Sequence, residues 1–459
     1  MTAEQPRHKA PAAPDAQHEI NVDTRIEHAI VITMDAANRV FDDGAIAVSD
    51  GRIVAIDTTA ELRQDGRFKP PVRVIDARGG IVLPGFVNLH THLAMTLFRG
   101  WADDRDLQAF LDRLFPTEAA IVSADTVRVG VDLAIAESIR AGITTSLDMF
   151  YYPDVTADAA RRAGVRIANG PVIVSFVAAD RLPYRERMAM AEDVLTASKG
   201  ELTGGRWVCP HGTYTIERDH LEEVVDLAQR HDARLTIHAA ENAAEVATVV
   251  AQHGRRPVEL LHDLGMLSPK MVLAHAVDLT DGEIELIADA GASVAHNPLS
   301  NMKLASGFAR VPDLLAAGVT VGLGTDGTAS SNDLDLYTAM RFAATIHKGL
   351  ALDASVVAAA QVLRMATIDG ARAMGLGDEL GSIEVGKRAD IQLLYDDHPN
   401  LVPVYDPIST VVFAAGRGDV RTVLVEGRVV LDDGVLTTID LRSTVAAARA
   451  VGVTVRATA

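Results

Sequence analysis

Two histidines stand one residue apart in Asn88-Leu89-His90-Thr91-His92, at the end of an apolar run. Alternate side chains of an extended segment point to the same side, so His90 and His92 can share one ion. Three further polar groups follow apolar runs in the same manner. They are His238, with Glu241 three residues on, His275, and Asp326 after Gly322-Leu323-Gly324-Thr325. A lone histidine after a strand is more often a structural hydrogen-bonder. Four such features at four strand ends together point to one divalent metal, because imidazole and carboxylate donors suit zinc or ferrous iron with a position left for water. A two-metal centre would want a bridging lysine at the end of the fourth strand. That segment reads Cys209-Pro210-His211, and the nearest lysine, Lys199, precedes the run.

Groups scattered over this much sequence need a scaffold that returns each to one rim. Short apolar runs at 81–89, 144–149, 165–172, 207–209, 235–237, 271–274, 293–295 and 320–323 read as strands. Amphipathic segments at 221–230, 258–267, 282–290 and 311–317 alternate with them as helices. Eight β/α repeats predict an α/β fold, a closed (β/α)8 TIM-type barrel whose site lies at the C-terminal strand ends. Both chain ends are β-rich instead. The early runs are 29–34, 45–49 and 52–56, with Asp43-Gly44 and Asp50-Gly51 as hairpin turns. The late runs are 390–395, 410–414, 423–426 and 428–431, with Glu426-Gly427 between the last two. They predict a small β-sandwich domain built from both chain ends. The expected division is a disordered tail over 1–20, the β-sandwich over 21–82 and 380–440, the barrel over 83–379 and a helical tail over 441–459.

With 459 residues, 48% hydrophobic and 23% charged, the chain can bury more than one small core. Its formal charge of −19 repels nucleic-acid backbones and anionic membrane surfaces. The residues before Glu19 lack the apolar segment of a signal peptide, and no apolar stretch approaches the ~18 residues of a membrane span. Cys209 is the one cysteine, which precludes an internal disulfide and fits a reducing cytoplasm. With no base beside it, Cys209 reads as a core residue rather than a nucleophile. A small-molecule substrate is the expected partner.

Several motifs carry a family likeness. They are Pro84-Gly85-Phe86-Val87-Asn88-Leu89-His90-Thr91-His92-Leu93-Ala94-Met95-Thr96, Arg99-Gly100-Trp101-Ala102-Asp103-Asp104, His238 through Glu241, and His275-Ala276. His296-Asn297-Pro298-Leu299-Ser300-Asn301-Met302-Lys303-Leu304, Gly324-Thr325-Asp326-Gly327 and the run from Gly381 to Asp390 complete them. With these the chain resembles the amidohydrolase superfamily, in particular its methylthioadenosine and S-adenosylhomocysteine deaminase branch, over nearly its whole length. It is also similar to the related triazine chlorohydrolases. The His-x-Glu with Pro-Cys-x-x-Cys pattern of the other zinc deaminases is missing.

The resemblance implies a barrel plus a β-sandwich, a homo-oligomer and one divalent ion, zinc or iron. It implies His90, His92, His238 and Asp326 as ligands, and Glu241, His275 and Asp326 as catalytic groups. Glu118, His211 and Glu241 are the implied substrate contacts. The family's arginine just after the third strand is replaced here by Asn169-Gly170-Pro171, and Arg181 stands as the counterpart of a second family arginine. The departure bears on the charged tail of S-adenosylhomocysteine.

The expected chemistry is hydrolytic removal of an amino group from a purine-like ring. An ion at this site lowers the pKa of its water from ~15.7 toward ~7. Glu241 would protonate a ring nitrogen, His275 and Asp326 would orient the attacking water, and Asp326 or Glu241 would protonate the departing amine. Glu118 would accept hydrogen bonds from ribose hydroxyls, the alternative being a solvated helix residue. His211 reads as a substrate contact ahead of a structural hydrogen-bonder. Asn301 and Lys303 could reach the pocket, although Lys303 reads equally as solvated. Two other functions compete. One is hydrolysis of another amino- or chloro-substituted heterocycle (a triazine, pterin or free purine base), which Glu241 does not exclude. The other is a non-catalytic barrel scaffold, against which the complete ligand set argues.

Overall fold

The computed structural model describes residues 19–197 and 204–458. Lys199 and residues 1–18 of the expected tail lie outside the described residues. Ile20 already belongs to the fold: it forms a parallel bridge with Phe68, and its N–H donates to the Arg67 carbonyl at 2.8 Å.

Eight strands in chain order form the barrel. They are Phe86–Thr91, Ile143–Asp148, a third in two pieces (Arg166–Asn169 and Val172–Ile173), Trp207–Pro210, Arg234–Ala239, Met271–His275, Ser293–His296 and Thr320–Leu323. They hydrogen-bond as two parallel arcs, of three and six pieces, that part within the third strand. Gly170 and Pro171 cause that break. Proline lacks a ladder donor, and a Cβ at Gly170 would lie 2.0 Å from the Trp207 carbonyl oxygen. The eighth strand packs beside the first. The TIM-type barrel read from the eight apolar runs is thus what forms.

The apolar run over 81–89 divides in two. Ile81–Pro84 joins a nine-stranded sheet, and Phe86–Thr91 opens the barrel. Gly85 allows the division because a Cβ there would lie 2.2 Å from Cγ2 of Thr144. The nine-stranded sheet is a separate β-rich unit combining early strands, among them Thr24–Ile32, Val40–Ser49 and Arg52–Thr58, with late ones, among them Ile391–Leu394 and Val420–Val425. Pairing of Ile81–Pro84 with Ile391–Leu394 joins the two chain ends.

Two local expectations fail. Asp43-Gly44 lies inside Val40–Ser49, and the chain reverses earlier, where Asp35 Oδ1 accepts the N–H groups of Ala37 and Arg39, each at 3.1 Å. Residues 410–414 are a π-helical turn rather than a strand. Asp406 caps the helix ahead of it by accepting from Ile408 and Ser409, and this capping outweighs a β-branched run.

Arg166, fully buried on the third strand, pairs with Asp390 and Glu426 of the β-rich unit, each at 2.5 Å. The last helix, Leu441–Ala457, packs on Ala124–Arg140 and on the turn Leu93–Phe98 that follows the first strand. No helix among the described residues is long and apolar enough to cross a membrane.

Candidate active site

Each singled-out polar group emerges where a barrel strand ends. His90 lies within the first strand and His92 just past it, His238 and His275 near the ends of the fifth and sixth, and Asp326 beyond the eighth. Ala240, His275, Ala276 and Asp326 all take left-handed backbone angles (φ 51°, 73°, 47° and 60°). Such angles are costly for residues with a Cβ and collect at functional sites. Here they end the pleat and turn the side chains over the barrel mouth.

The groups converge in a buried cluster. Nε2 of His92 lies 3.3 Å from Nε2 of His238 and 3.2 Å from Oδ1 of Asp326. Nε2 of His90 is 3.4 Å from the same oxygen. His90, His92 and His238 form one group of potential ligand atoms within 4.8 Å of one another, and His90, His275 and Asp326 form a second. His92 donates through Nδ1 to the Met149 carbonyl at 2.5 Å, and His238 through Nδ1 to the His211 carbonyl at 2.5 Å. Both therefore turn Nε2 inward, the orientation metal-bound histidines take. His90 is fully buried with neither ring nitrogen hydrogen-bonded, which is costly unless an ion is held there. The donor set fits a divalent metal.

The catalytic candidates sit beside this cluster. Oε1 of Glu241 lies 3.9 Å from Nδ1 of His275, whose Nε2 is 4.0 Å from Oδ2 of Asp326. Burial raises the Glu241 carboxyl above its usual range, against the opposing pull of His275. Burial likewise pushes Glu118 up to about 8, and its Oε1 has no hydrogen-bond partner. Glu118 is thus no solvated helix residue.

A cavity of about 630 Å³, open to solvent, joins these groups. Its floor holds His92, His238, Glu241, His275 and Asp326, and His211 lies on its wall. One face of the helix Leu107–Ile121 (Leu107, Phe110, Leu111, Leu114, Phe115 and Glu118) covers it at helical spacing. Among the described residues no lysine or arginine lines it.

Arg181 departs from the expectation of a substrate contact. It is exposed, on a left-handed turn after the third strand, and does not line the cavity. The buried arginine of this segment is Arg187, and both its terminal nitrogens are taken by Asp180 at 2.5 and 2.6 Å. Lys303 is half-buried and does not line the cavity. It bonds Asp103 at 2.5 Å and the Ala329 carbonyl at 3.1 Å. Cys209 is free and buried, and burial pushes its thiol up, away from reactivity.

The sequence of these residues matches the model of the amidohydrolase family over residues 81–430. The chain belongs to that family. A shorter match, to the imidazolonepropionase-like composite domain of bacteria, covers residues 44–65. A 5-methylthioadenosine/S-adenosylhomocysteine deaminase from Syntrophobacter fumaroxidans is 43% identical over 420 residues, covering 91% of this chain and 95% of that protein. Among solved structures, an adenosine deaminase from Xanthomonas campestris with bound zinc superposes with a TM-score of 0.92 at 38% identity, covering 95% and 99% of the two chains. An atrazine chlorohydrolase from Arthrobacter aurescens, complexed with zinc, superposes at 0.85 and 27% identity, covering 94% and 100%.

In this amidohydrolase three supporting groups escaped the sequence reading. Ser300 and Ser330 donate to Oδ2 of Asp326 at 2.6 and 2.7 Å. Glu245 accepts the Glu241 N–H at 2.6 Å and the Thr213 hydroxyl at 3.3 Å, tying the fourth and fifth strand loops together. Only Glu245 left a trace in the sequence, as the glutamate three residues after the helix cap Asn242. Isolated serines carry no such mark.

Proposed function

We infer that this amidohydrolase removes the ring amino group of an aminopurine nucleoside by hydrolysis, releasing ammonia. The observation that carries the reading is the neighbourhood of Glu241. It is a buried carboxyl with a raised pKa, beside His275 and Asp326, at the floor of an apolar cavity whose wall holds the unpartnered carboxyl of Glu118.

His90, His92, His238 and Asp326 would hold one divalent ion, zinc in this reading, which supplies a water acidified toward ~7. Burial disfavours the Glu241 anion, and Glu241 delivers a proton to a ring nitrogen, leaving the adjacent carbon electrophilic. Asp326, pinned by Ser300, Ser330 and the Gly327 N–H, takes one proton from the attacking water. His275 orients that water. Asp326 then passes its proton to the amino group, ammonia leaves, and the new hydroxyl returns its proton to Glu241 as the carbonyl forms. Glu118 accepts from paired ribose hydroxyls and His211 flanks the base. The free Cys209 fits a reducing cytoplasm, and a homo-oligomer belongs to the same reading.

The likeness to the atrazine chlorohydrolase keeps chloride displacement from a triazine as the second reading. Glu118 favours the nucleoside, since a triazine has no diol for it. The test is ammonia release by metal-replete enzyme from methylthioadenosine, S-adenosylhomocysteine, adenosine, guanine and a pterin, run beside chloride release from a chlorotriazine. Turnover of nucleosides alone supports deamination. Turnover confined to the triazine or to free bases would overturn it, and a protein that binds no metal and turns over nothing is a scaffold.

A further inference from the structure

The short helix Pro298–Lys303 follows the seventh strand and contributes no assigned catalytic group, yet two consecutive residues on it touch the reacting centre. Ser300 donates to Asp326, as above. Oδ1 of Asn301 lies 2.8 Å from Nδ1 of His275, and both residues are only 1% exposed.

We propose that Asn301 is a positioning residue that fixes the tautomer of His275. Its carbonyl oxygen takes the Nδ1 hydrogen and thereby leaves Nε2 as a lone pair facing Asp326 and the ion site.

The neighbourhood of the ring gives this bond its consequence. A neutral imidazole has one N–H, and the partner of that N–H decides what the other nitrogen presents. A second acceptor near Nδ1, Oε1 of Glu241, lies at 3.9 Å, beyond hydrogen-bond reach. Without Asn301 the Nδ1 hydrogen would turn to that carboxyl and tie up the group that must move a proton. The strand cannot set the ring by itself, because His275 already has a left-handed backbone (φ 73°).

The main chain of Asn301 is held on both sides: its N–H donates to the Asn297 carbonyl at 3.0 Å, and its backbone carbonyl accepts from the Ser306 N–H at 2.8 Å. Lys303, two residues on, anchors the helix to Asp103 and to the Ala329 carbonyl. In this arrangement Nε2 of His275 accepts from the attacking water rather than donating to it, while Glu241 stays free to protonate the ring.

The role rests on the deaminase reading, and the test separates the two. Asn301→Leu should keep metal content and thermal midpoint and lose ~10- to 100-fold in kcat, with KM little changed, as for groups that orient metal-site histidines. Asn301→Asp keeps an acceptor for Nδ1 and should recover most of that loss. An independent measurement is the nitrogen NMR of His275 in the zinc-loaded wild type, labelled in histidine, where the Nδ1–H tautomer is expected. Unchanged kcat in Asn301→Leu, equal losses in both variants, or an Nε2–H tautomer would each overturn the assignment. A wild type inactive on every nucleoside would defeat the deaminase reading while leaving the tautomer result standing.

Discussion

Nε2 of His92 and Oδ1 of Asp326 lie 3.2 Å apart, joining the end of the first barrel strand to the end of the eighth. Burial alone would strip the imidazole of its proton, and the Asp326 carboxylate outweighs it, raising His92 to about 9. A divalent ion would take the place of that proton.

Metal stoichiometry is the first prediction. One ion per chain is expected, since the two groups of buried ligand atoms share His90. His90→Ala/His92→Ala should lose metal and activity together while keeping its far-ultraviolet circular dichroism, because the barrel core is a separate apolar cluster. Elemental analysis giving two ions per wild-type chain would refute the single site.

Glu241→Gln should bind metal normally and lose ~10²–10⁴ in rate, the range for a general acid–base group. The loss should fall on kcat, since proton transfer weighs more in the transition state than in binding. Near wild-type turnover would assign the proton shuttle elsewhere.

Glu118 predicts a pH dependence. Its folded pKa of about 8 is raised above the ordinary 4.5, so the free enzyme carries it neutral at pH 7. A carboxylate accepts two hydroxyl donors better than a carboxylic acid does. kcat/KM for a nucleoside should therefore rise with pH through about 8, and the rise should vanish in Glu118→Gln. The same shift contributes stability that is full below pH 4.5 and is lost as pH rises through about 8. Glu118→Gln should thus flatten the decline in thermal midpoint over that window. A decline of unchanged slope would place Glu118 in contact with water.

Substrates with a charged tail should be poor. Among the described residues no lysine or arginine lines the cavity, Arg181 is exposed and does not line it, and Asp180 occupies Arg187. A charge-assisted hydrogen bond contributes about 1.5–3 kcal/mol. Methylthioadenosine should therefore exceed S-adenosylhomocysteine by ~10- to 100-fold in kcat/KM, with no change in Arg181→Ala. Equal rates for the two substrates would show that the tail extends into solvent.

Local pattern determined much of this protein. The spacing of His90 and His92, the eight apolar runs and the polar groups that follow them placed the barrel and its metal-fitting rim before any coordinates, because strand ends and helix faces have short periods that one stretch of chain displays. What those periods do not carry was left to the tertiary structure. The division at Gly85 depends on how near Thr144 comes. The exposure of Arg181 depends on the turn that carries it, and Asp406 capping overrides the β-branched residues at 410–414. The bonds of Asn301 to His275, of Ser300 to Asp326 and of Thr213 to Glu245 depend on loops from different strands meeting over one mouth. A side chain's type shows what it can donate or accept, but the partner it meets is decided by the packing of segments far apart in the chain.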